Sequence, residues 1–315
     1  MRKIITVIPD TLTVKVAEIK SVFLLVLFFV SLLPLQVEAI QQLVIESDRV
    51  RVVFPSGFKD QAGIIVTNYQ EVLDDLKKEL SWGLDSKPTV ILVADKTVFE
   101  RISGNRYAVG LAIPDRNTIA INILPLVSKT YMMLEVFKHE LCHLVLHEHI
   151  KSSFLPRWLD EGVAQWASGN LGELLLYEGM FRSVRLNLAR LAIPLDYLAT
   201  SFPSDPRSLF LAYEESLSFV NYVVKKYGRA KFITILEKLA LGEKVEDAFA
   251  GVLAKPLDVV EKEWLDSIKN ENRWLLWLSH YLYELLFVLG GLLAVIAFVE
   301  LKLKKRRMDL EDDLD

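Results

Sequence analysis

Two short stretches decide the fold of this chain: His139-Glu140-Leu141-Cys142-His143 and, downstream, Trp158-Leu159-Asp160-Glu161-Gly162. Positions i and i+4 of a helix lie on one face, so His139 and His143 are expected to direct their imidazoles at one point. Two imidazoles supply half of a tetrahedral zinc site. Glu140 would lie beside the metal, where a general base takes a proton from a zinc-bound water. The first stretch therefore predicts a catalytic zinc site.

A catalytic zinc ion takes a third protein ligand and keeps its fourth position open. Glu161 is the best candidate for that ligand, because 17 residues separate it from His143. That length accommodates the rest of one helix, a turn near Pro156 and the start of a second helix. Proline suits a helix start, where its missing N–H group costs nothing. We therefore expect a helix over Arg157–Ser168 that presents Glu161 to the metal.

These residues resemble the motifs of a known family. The pairing of H-E-x-x-H with a downstream Glu is similar to the gluzincin metallopeptidases, and Trp158–Gly162 is similar to the W-L-N-E-G of alanyl-aminopeptidase-type enzymes. The closer resemblance is to the peptidase MA-like group, over about Thr118–Gly228. It implies a zincin-like (gluzincin) α+β fold, Zn2+ as cofactor and a peptide or protein as substrate.

The same resemblance suggests a catalytic role for Tyr213. Aminopeptidase-type gluzincins use the Tyr of a Y-x-K-G-A motif on a later helix as a second donor to the tetrahedral oxyanion. Here the Tyr matches, but Glu215, Ser216 and Leu217 replace the Lys, Gly and Ala. The alternative is a Tyr that only packs on an amphipathic helix.

The remaining polar residues of the two stretches have simpler interpretations. His147 extends the face of His143 by one turn, about 6 Å further along the axis, too far to share the metal. With His149 it is expected to be a polar residue at the helix end, where His suits the helix dipole. Asp160 either orients a ligand His or is a helix-start carboxylate. Cys142 is expected to be a buried, inert thiol.

Composition limits the classes of function. The 315 residues carry a formal net charge of −4, which gives no indication of nucleic-acid binding. A single Cys excludes an internal disulfide framework. The mean hydropathy of +0.28 is high for a soluble protein. Two apolar segments, one near each end of the chain, account for it.

The N-terminal apolar segment, Val22–Leu35, has the length of a signal-peptide core and is short for a membrane span. Val37 and Ala39 provide small residues at the −3 and −1 positions of a cleavage site. We expect residues 1–39 to be a signal peptide that is cleaved after Ala39. An uncleaved N-terminal anchor is the alternative.

Between the apolar ends, hydrophobic periodicity predicts an α/β subdomain over residues 40–125 and a helical subdomain with the zinc site over residues 126–273. The first would contain a small mixed sheet. In gluzincins the strand before the zinc helix is the sheet edge that pairs with extended substrate, which implies this role for Thr118–Ile123. An ordinary hairpin strand is the alternative.

The predicted strands are Gln41–Phe54 (interrupted by a turn), Thr89–Ala94, Tyr107–Ile113 and Thr118–Ile123. The predicted helices are Asp60–Leu80, Lys96–Ile102, Leu171–Leu191, Ser208–Tyr227, Ala230–Leu241, Lys244–Leu253 and Pro256–Ile268.

The C-terminal apolar segment predicts a transmembrane helix over residues 274–301 that contacts membrane lipid. Leu285–Val299 carries no charge, and five basic residues follow from Lys302 to Arg307. The positive-inside rule then places the tail, residues 302–315, in the cytoplasm and the zinc site on the extracytoplasmic side.

These features predict a single-pass cell-membrane protein that hydrolyses peptide bonds through a zinc-activated water. No G-x-M-E-N-like segment, whose acidic residue holds a substrate's free amine in aminopeptidases, precedes the zinc helix. Its absence favours an endopeptidase. The alternative from another class is a catalytically silent, membrane-anchored binding or scaffold protein that kept the zincin fold. Glu140 favours the enzyme, since zinc binding alone does not require it.

Overall fold

The computed structural model describes residues 42–169 and 191–312. The expected signal peptide and most of the expected helix Leu171–Leu191 lie outside these residues. Within the described part, a small mixed sheet is followed by a mostly helical body, as the α+β class predicts. The strands are β1 (Gln42–Glu46), β2 (Arg51–Pro55), β3 (Thr89–Val93), β4 (Gly110–Ile113) and β5 (Thr118–Asn122). The helices are α1 (Lys59–Leu80), α2 (Lys96–Ser103), α3 (Thr130–His149), α4 (Arg157–Ala167), α5 (Pro206–Tyr227), α6 (Arg229–Ala240), α7 (Val245–Leu253) and α8 (Leu257–Asp312).

The sheet has the strand order β1-β2-β3-β5-β4. Strands β2, β3 and β5 are parallel, whereas β1 and β4 are antiparallel to their neighbours. Side chains alternate between the faces of a strand. Leu92 and Ile121 therefore pack with α1 and α3 in the main core, and Ala120 packs with Phe99 of α2 in a smaller cluster.

The strand order corrects one expectation. Thr118–Ile123 is not the sheet edge, because β5 pairs with β3 on one side and with β4 on the other. A turn at Pro114–Arg116, closed by Asn117 in the left-handed conformation, folds the preceding strand back against β5. The hairpin alternative is therefore correct, and the edge next to α3 is β4.

The helical body is built on α4 and α5. Gly162 lets these two helices approach closely, since a Cβ atom there would lie 2.5 Å from the carbonyl oxygen of Ser216. Trp158 packs edge-on against Phe219, with 5.2 Å between ring centroids. These contacts fix α4, and therefore Glu161, relative to the rest of the body.

The sequence predicts two separate helices at the end of the chain, Pro256–Ile268 and residues 274–301, but the structure has one. Leu257–Asp312 is one continuous helix of 56 residues, because no Gly or Pro interrupts the chain between Ile268 and Trp274. Its first turns are anchored in the core by Trp264, which is fully buried and donates a hydrogen bond to the hydroxyl of Ser218 at 3.1 Å. One 18-residue window, Leu285–Lys302, has a mean hydropathy of 2.3 and is long and apolar enough to cross a membrane.

Candidate metal centre

Helix α3 brings the two motif histidines together. His139 and His143 are buried, and their rings meet edge-on with 4.9 Å between centroids. The two Nε2 atoms lie 3.2 Å apart. The one-turn spacing of the motif thus directs both imidazoles at one point, as the sequence predicts.

Helix α4 adds Glu161 to the pair. Its Oε2 atom lies 3.6 Å from the Nε2 atom of each histidine, and the ligand atoms of the three residues lie within 4.8 Å of one another. Glu161 is 2% exposed, and its Oε2 atom has no hydrogen-bond partner among the described residues. A buried carboxylate oxygen without a donor is costly, and a bound cation would satisfy it. Two imidazoles and one carboxylate are a donor set that zinc accepts.

Arg157 stands beside this cluster and keeps Glu161 charged. Its guanidinium donates to the Oε1 atom of Glu161 at 2.7 Å from one turn earlier in α4. Burial alone would raise the pKa of Glu161. The Arg157 charge, together with His143 and His139, lowers that pKa below its ordinary value. The carboxylate is therefore anionic, as a metal ligand must be.

Glu140 lies against the edge strand. It is fully buried, and a Cβ atom placed on Gly110 of β4 would lie only 2.1 Å from the Glu140 Oε1 atom. A glycine at this position is what allows strand β4 to approach the carboxylate. Sequence reasoning missed this contact, because the two residues are 30 positions apart and only the sheet order brings them together.

Asp160 connects two histidines of α3. Its Oδ1 atom lies 2.7 Å from Nδ1 of His143, and its Oδ2 atom lies 3.0 Å from Nε2 of His147. Of the two interpretations for Asp160, orientation of a ligand His is the one the geometry supports. Burial alone would raise the pKa of Asp160, but His143 and His147 hold it well below its ordinary value. The contact with His147 was not predicted.

The other residues of the two stretches lie outside the cluster. His149 stacks on Trp82 and has Nε2 at 3.1 Å from the carbonyl oxygen of Gly83. Cys142 is fully buried, and burial raises the pKa of its thiol, as expected for an inert cysteine.

Tyr213 lies on α5, two turns from its start. Its ring is buried and meets Phe202 edge-on, with 5.1 Å between centroids, and its carbonyl oxygen accepts a hydrogen bond from Gln165 of α4 at 3.0 Å. Among the described residues, Tyr213 is not part of the lining of the cavity beside the cluster. Its role as an oxyanion donor stays a prediction.

A cavity of about 790 Å³ is lined by two of the three candidate ligands, His143 and Glu161. Strand β4 forms one wall through Leu111, Ala112 and Ile113, and the loop before α4 forms another. Glu161, His143, Asp160 and His147 also line it, together with two basic residues, Arg157 and Lys244, and two further acidic residues, Asp115 and Glu246. The cavity thus joins the candidate metal ligands to the half-buried edge strand β4.

A model of the Peptidase MA superfamily matches residues 91–270, more than half of the chain. Among solved structures, an M1 zinc metallopeptidase from Deinococcus radiodurans (a mutant form) is 16% identical, with a TM-score of 0.44 over 71% of this chain and 52% of that one. Native yeast LTA4 hydrolase is 14% identical, with a TM-score of 0.46 over 74% of this chain and 38% of that one. The chain thus spans about half or less of these two structures. A comparison with curated proteins finds no match.

Proposed function

The chain belongs to the Peptidase MA superfamily, and on that premise we propose that it is a zinc metallopeptidase that hydrolyses peptide bonds on the extracytoplasmic side of a membrane. One observation carries the proposal. His139, His143 and Glu161 converge within 4.8 Å, and the buried Oε2 atom of Glu161 faces both imidazoles without a hydrogen-bond partner among the described residues. This arrangement is what a cation would satisfy.

In this proposal His139, His143 and Glu161 hold the zinc ion. When bound, zinc supplies a Lewis acid that lowers the pKa of a water molecule and polarises the scissile carbonyl. Arg157 supports the site by keeping Glu161 ionised, and Asp160 supports it by fixing the ring of His143.

Glu140 acts as the general base. Its carboxylate takes the proton of the attacking water and later transfers it to the leaving amine. It is suited to this role because it is fully buried, adjoins the first ligand and lies against strand β4. Tyr213 is proposed as a donor to the carbonyl oxygen as it becomes negatively charged.

Strand β4 is the proposed docking site for the peptide. It pairs with β5 on one side only, so its other side presents backbone N–H and C=O groups to an extended chain. Gly110 would bring that chain close to Glu140. No G-x-M-E-N-like segment, whose acidic residue holds the substrate's free amine in aminopeptidases, precedes α3 in the sequence. We therefore favour an endopeptidase over an aminopeptidase.

The proposed location follows from helix α8. Every residue of Leu285–Lys302 is exposed in the described structure, and exposed apolar surface of this length suits a bilayer. The basic residues from Lys302 onward would lie in the cytoplasm. With residues 1–39 as a signal peptide or anchor, the catalytic domain would face outward. Reachable substrates would be secreted, envelope or membrane-proximal polypeptides.

The decisive experiment is a peptide-library digest by the zinc-loaded protein, with Glu140→Gln as the matched control. The wild type should cleave internal bonds, and the variant should hold zinc without cleaving. Zinc binding with no turnover by the wild type would favour the silent binding or scaffold protein instead. Removal of only N-terminal residues would overturn the endopeptidase assignment.

A further inference from the structure

Asp160 is shared by histidines from two successive turns of α3. Both of its oxygens are used: Oδ1 lies 2.7 Å from Nδ1 of His143 and Oδ2 lies 3.0 Å from Nε2 of His147. The chain of contacts continues outward, because Nδ1 of His147 lies 3.1 Å from the hydroxyl oxygen of Ser152. Four side chains thus form one line from the protein surface to a candidate zinc ligand.

The chemistry of these groups assigns the direction of every hydrogen bond. An ionised carboxylate only accepts, so His143 donates through Nδ1–H and His147 donates through Nε2–H. The Nε2 atom of His143 then keeps its lone pair, and it is this atom that faces His139 and Glu161. A neutral His147 has an acceptor at Nδ1, which the Ser152 hydroxyl satisfies as donor. With these proton positions, each of the three contacts from His143 to Ser152 pairs one donor with one acceptor.

We propose that His147 is a positioning residue of the metal site, which acts on His143 through Asp160. By occupying Oδ2, His147 prevents the carboxylate from rotating away from His143, and Ser152 holds the His147 ring in place through its contact with Nδ1. The inference rests on the proposed function, since the site that it serves is the zinc site. It assigns to His147 a role that its position near the end of α3 does not suggest.

The location of His147 supports this role over that of a helix-end polar residue. Its side chain is 15% exposed and that of Asp160 is 14% exposed, so their contact is largely shielded from water. His147 also lines two cavities, the one beside the cluster and a smaller one of about 380 Å³. His149, two residues on, contacts the Gly83 carbonyl and Trp82 and has no contact with Asp160.

The test measures zinc affinity by chelator competition on the full-length protein in detergent. His147→Leu should weaken zinc binding about tenfold, at the low end of the 10- to 100-fold typical for outer partners of ligand histidines. His147→Gln, which keeps a donor near the position of Nε2, should restore affinity to within about threefold of wild type. The visible spectrum of the Co2+-substituted protein should shift in the first variant and return in the second. His149→Leu is the matched control and should bind zinc like wild type.

A double variant tests whether His147 acts through Asp160. Asp160→Ala should weaken zinc binding by itself, and adding His147→Leu should cause no further loss. Unchanged zinc affinity in His147→Leu, or additive losses in the double variant, would overturn the inference. If His147→Leu does not fold, Ser152→Ala decides: a two- to threefold loss of affinity supports the line of contacts, and no loss contradicts it.

The same measurement separates this inference from the proposed function. A wild type that binds no zinc overturns both. Tight zinc binding that His147→Leu leaves intact overturns the positioning role alone. Tight binding that depends on His147, with no peptide cleaved, supports the positioning role and contradicts the peptidase.

Discussion

Helix α3 and the second half of helix α8 depart from the ordinary arrangement of side chains in opposite ways. In α3, polar groups are buried: His139 and Glu140 are 0% exposed, and Glu135 and His143 are nearly as inaccessible. In α8, apolar groups are exposed, including Phe287 at 84%. Charged groups are rarely buried without a partner, and long apolar stretches are rarely left in water.

Under the proposed function, this difference means that each helix is completed by something other than protein. His139 and His143 of α3 converge with Glu161 on a point that suits a cation, and the apolar residues of α8 cover a length that suits a bilayer. The two helices also differ in the number of charged residues in these stretches. Helix α3 has Glu135 and Lys138 close to its H-E-x-x-H motif, whereas Leu285–Val299 has no charged residue.

The largest effect is expected from removing the apolar part of α8. Deleting residues 274–315 should move nearly all of the protein from the membrane fraction to the soluble fraction, because the exposed apolar surface of α8 is lost. Zinc binding and peptide turnover should remain, and both can be measured on the soluble product. Retention of the truncated protein in the membrane would show that another segment anchors it.

The next largest effect separates the two carboxylates of the metal site. Glu140→Gln should lower kcat by about 100- to 10,000-fold, the range for loss of a general base, and leave zinc bound. Glu161→Ala should instead release zinc, because it removes a ligand. Metal content by atomic absorption, measured beside kcat, distinguishes the variants. Equal zinc loss in both would contradict the separate roles.

Tyr213→Phe should keep the fold and the zinc and lower kcat by about 10- to 1,000-fold if its hydroxyl stabilises the oxyanion. The ring contact with Phe202 is preserved in this variant. Unchanged turnover would assign Tyr213 to packing alone. Steady-state kinetics with a cleaved library peptide provides the measurement.

Gly110→Ala should lower kcat by about 100-fold, because a shift of about 1 Å at a catalytic group can cost that much. The added Cβ atom would lie 2.1 Å from the Glu140 Oε1 atom, so the carboxylate or strand β4 must move. Zinc affinity should change little, since none of the three candidate ligands is displaced directly. Gly63→Ala in α1 is the control, as a Cβ atom there meets nothing within 4 Å. Equal kinetics for the two variants would contradict the importance of this contact.

The smallest expected effect concerns Glu215, a buried carboxylate of α5. Burial raises the pKa of Glu215 to about 8; the Ile193 N–H group lowers it and the Glu261 charge raises it. The folded state thus holds a proton that the unfolded chain releases near pH 4.5, so stability falls as pH rises from about 4.5 to 8. Glu215→Gln keeps an oxygen acceptor for Ile193 and removes this loss.

The Glu215→Gln variant should therefore differ little from wild type in melting temperature at pH 5 and exceed it by several degrees at pH 8.5. Thermal melts of the full-length protein at the two pH values provide the comparison. An equal shift at both pH values would point to packing instead of ionisation.

The sequence predicts local geometry better than it predicts contacts between elements. His139 and His143 converge because one helical turn separates them, and the spacing to Glu161 limits where α4 can begin. The family resemblance implied the sheet edge for Thr118–Ile123, whereas the hairpin alternative is correct, because strand order depends on how the hairpin folds against β3.

Contacts across elements explain what was missed. Asp160 meets His147 only because α3 and α4 pack side by side, and Gly110 meets Glu140 only because β4 is the edge strand. No spacing rule predicts either pair. The sequence does contain the information that α8 is continuous, since Lys269–Arg273 includes no Gly or Pro that would end a helix.

If α8 crosses a membrane as proposed, that continuity also sets the distance between the catalytic domain and the membrane. The helix rises by about 30 Å between Trp264, where the core holds it, and Leu285, where the candidate span begins. Each residue turns a helix by about 100°, so one residue inserted between Trp264 and Leu285 would rotate the cleft by that angle about the helix axis. Seven inserted residues would move the cleft about 10 Å along the axis and nearly restore its orientation. A substrate held in the same membrane would meet the cleft at one height and from one side.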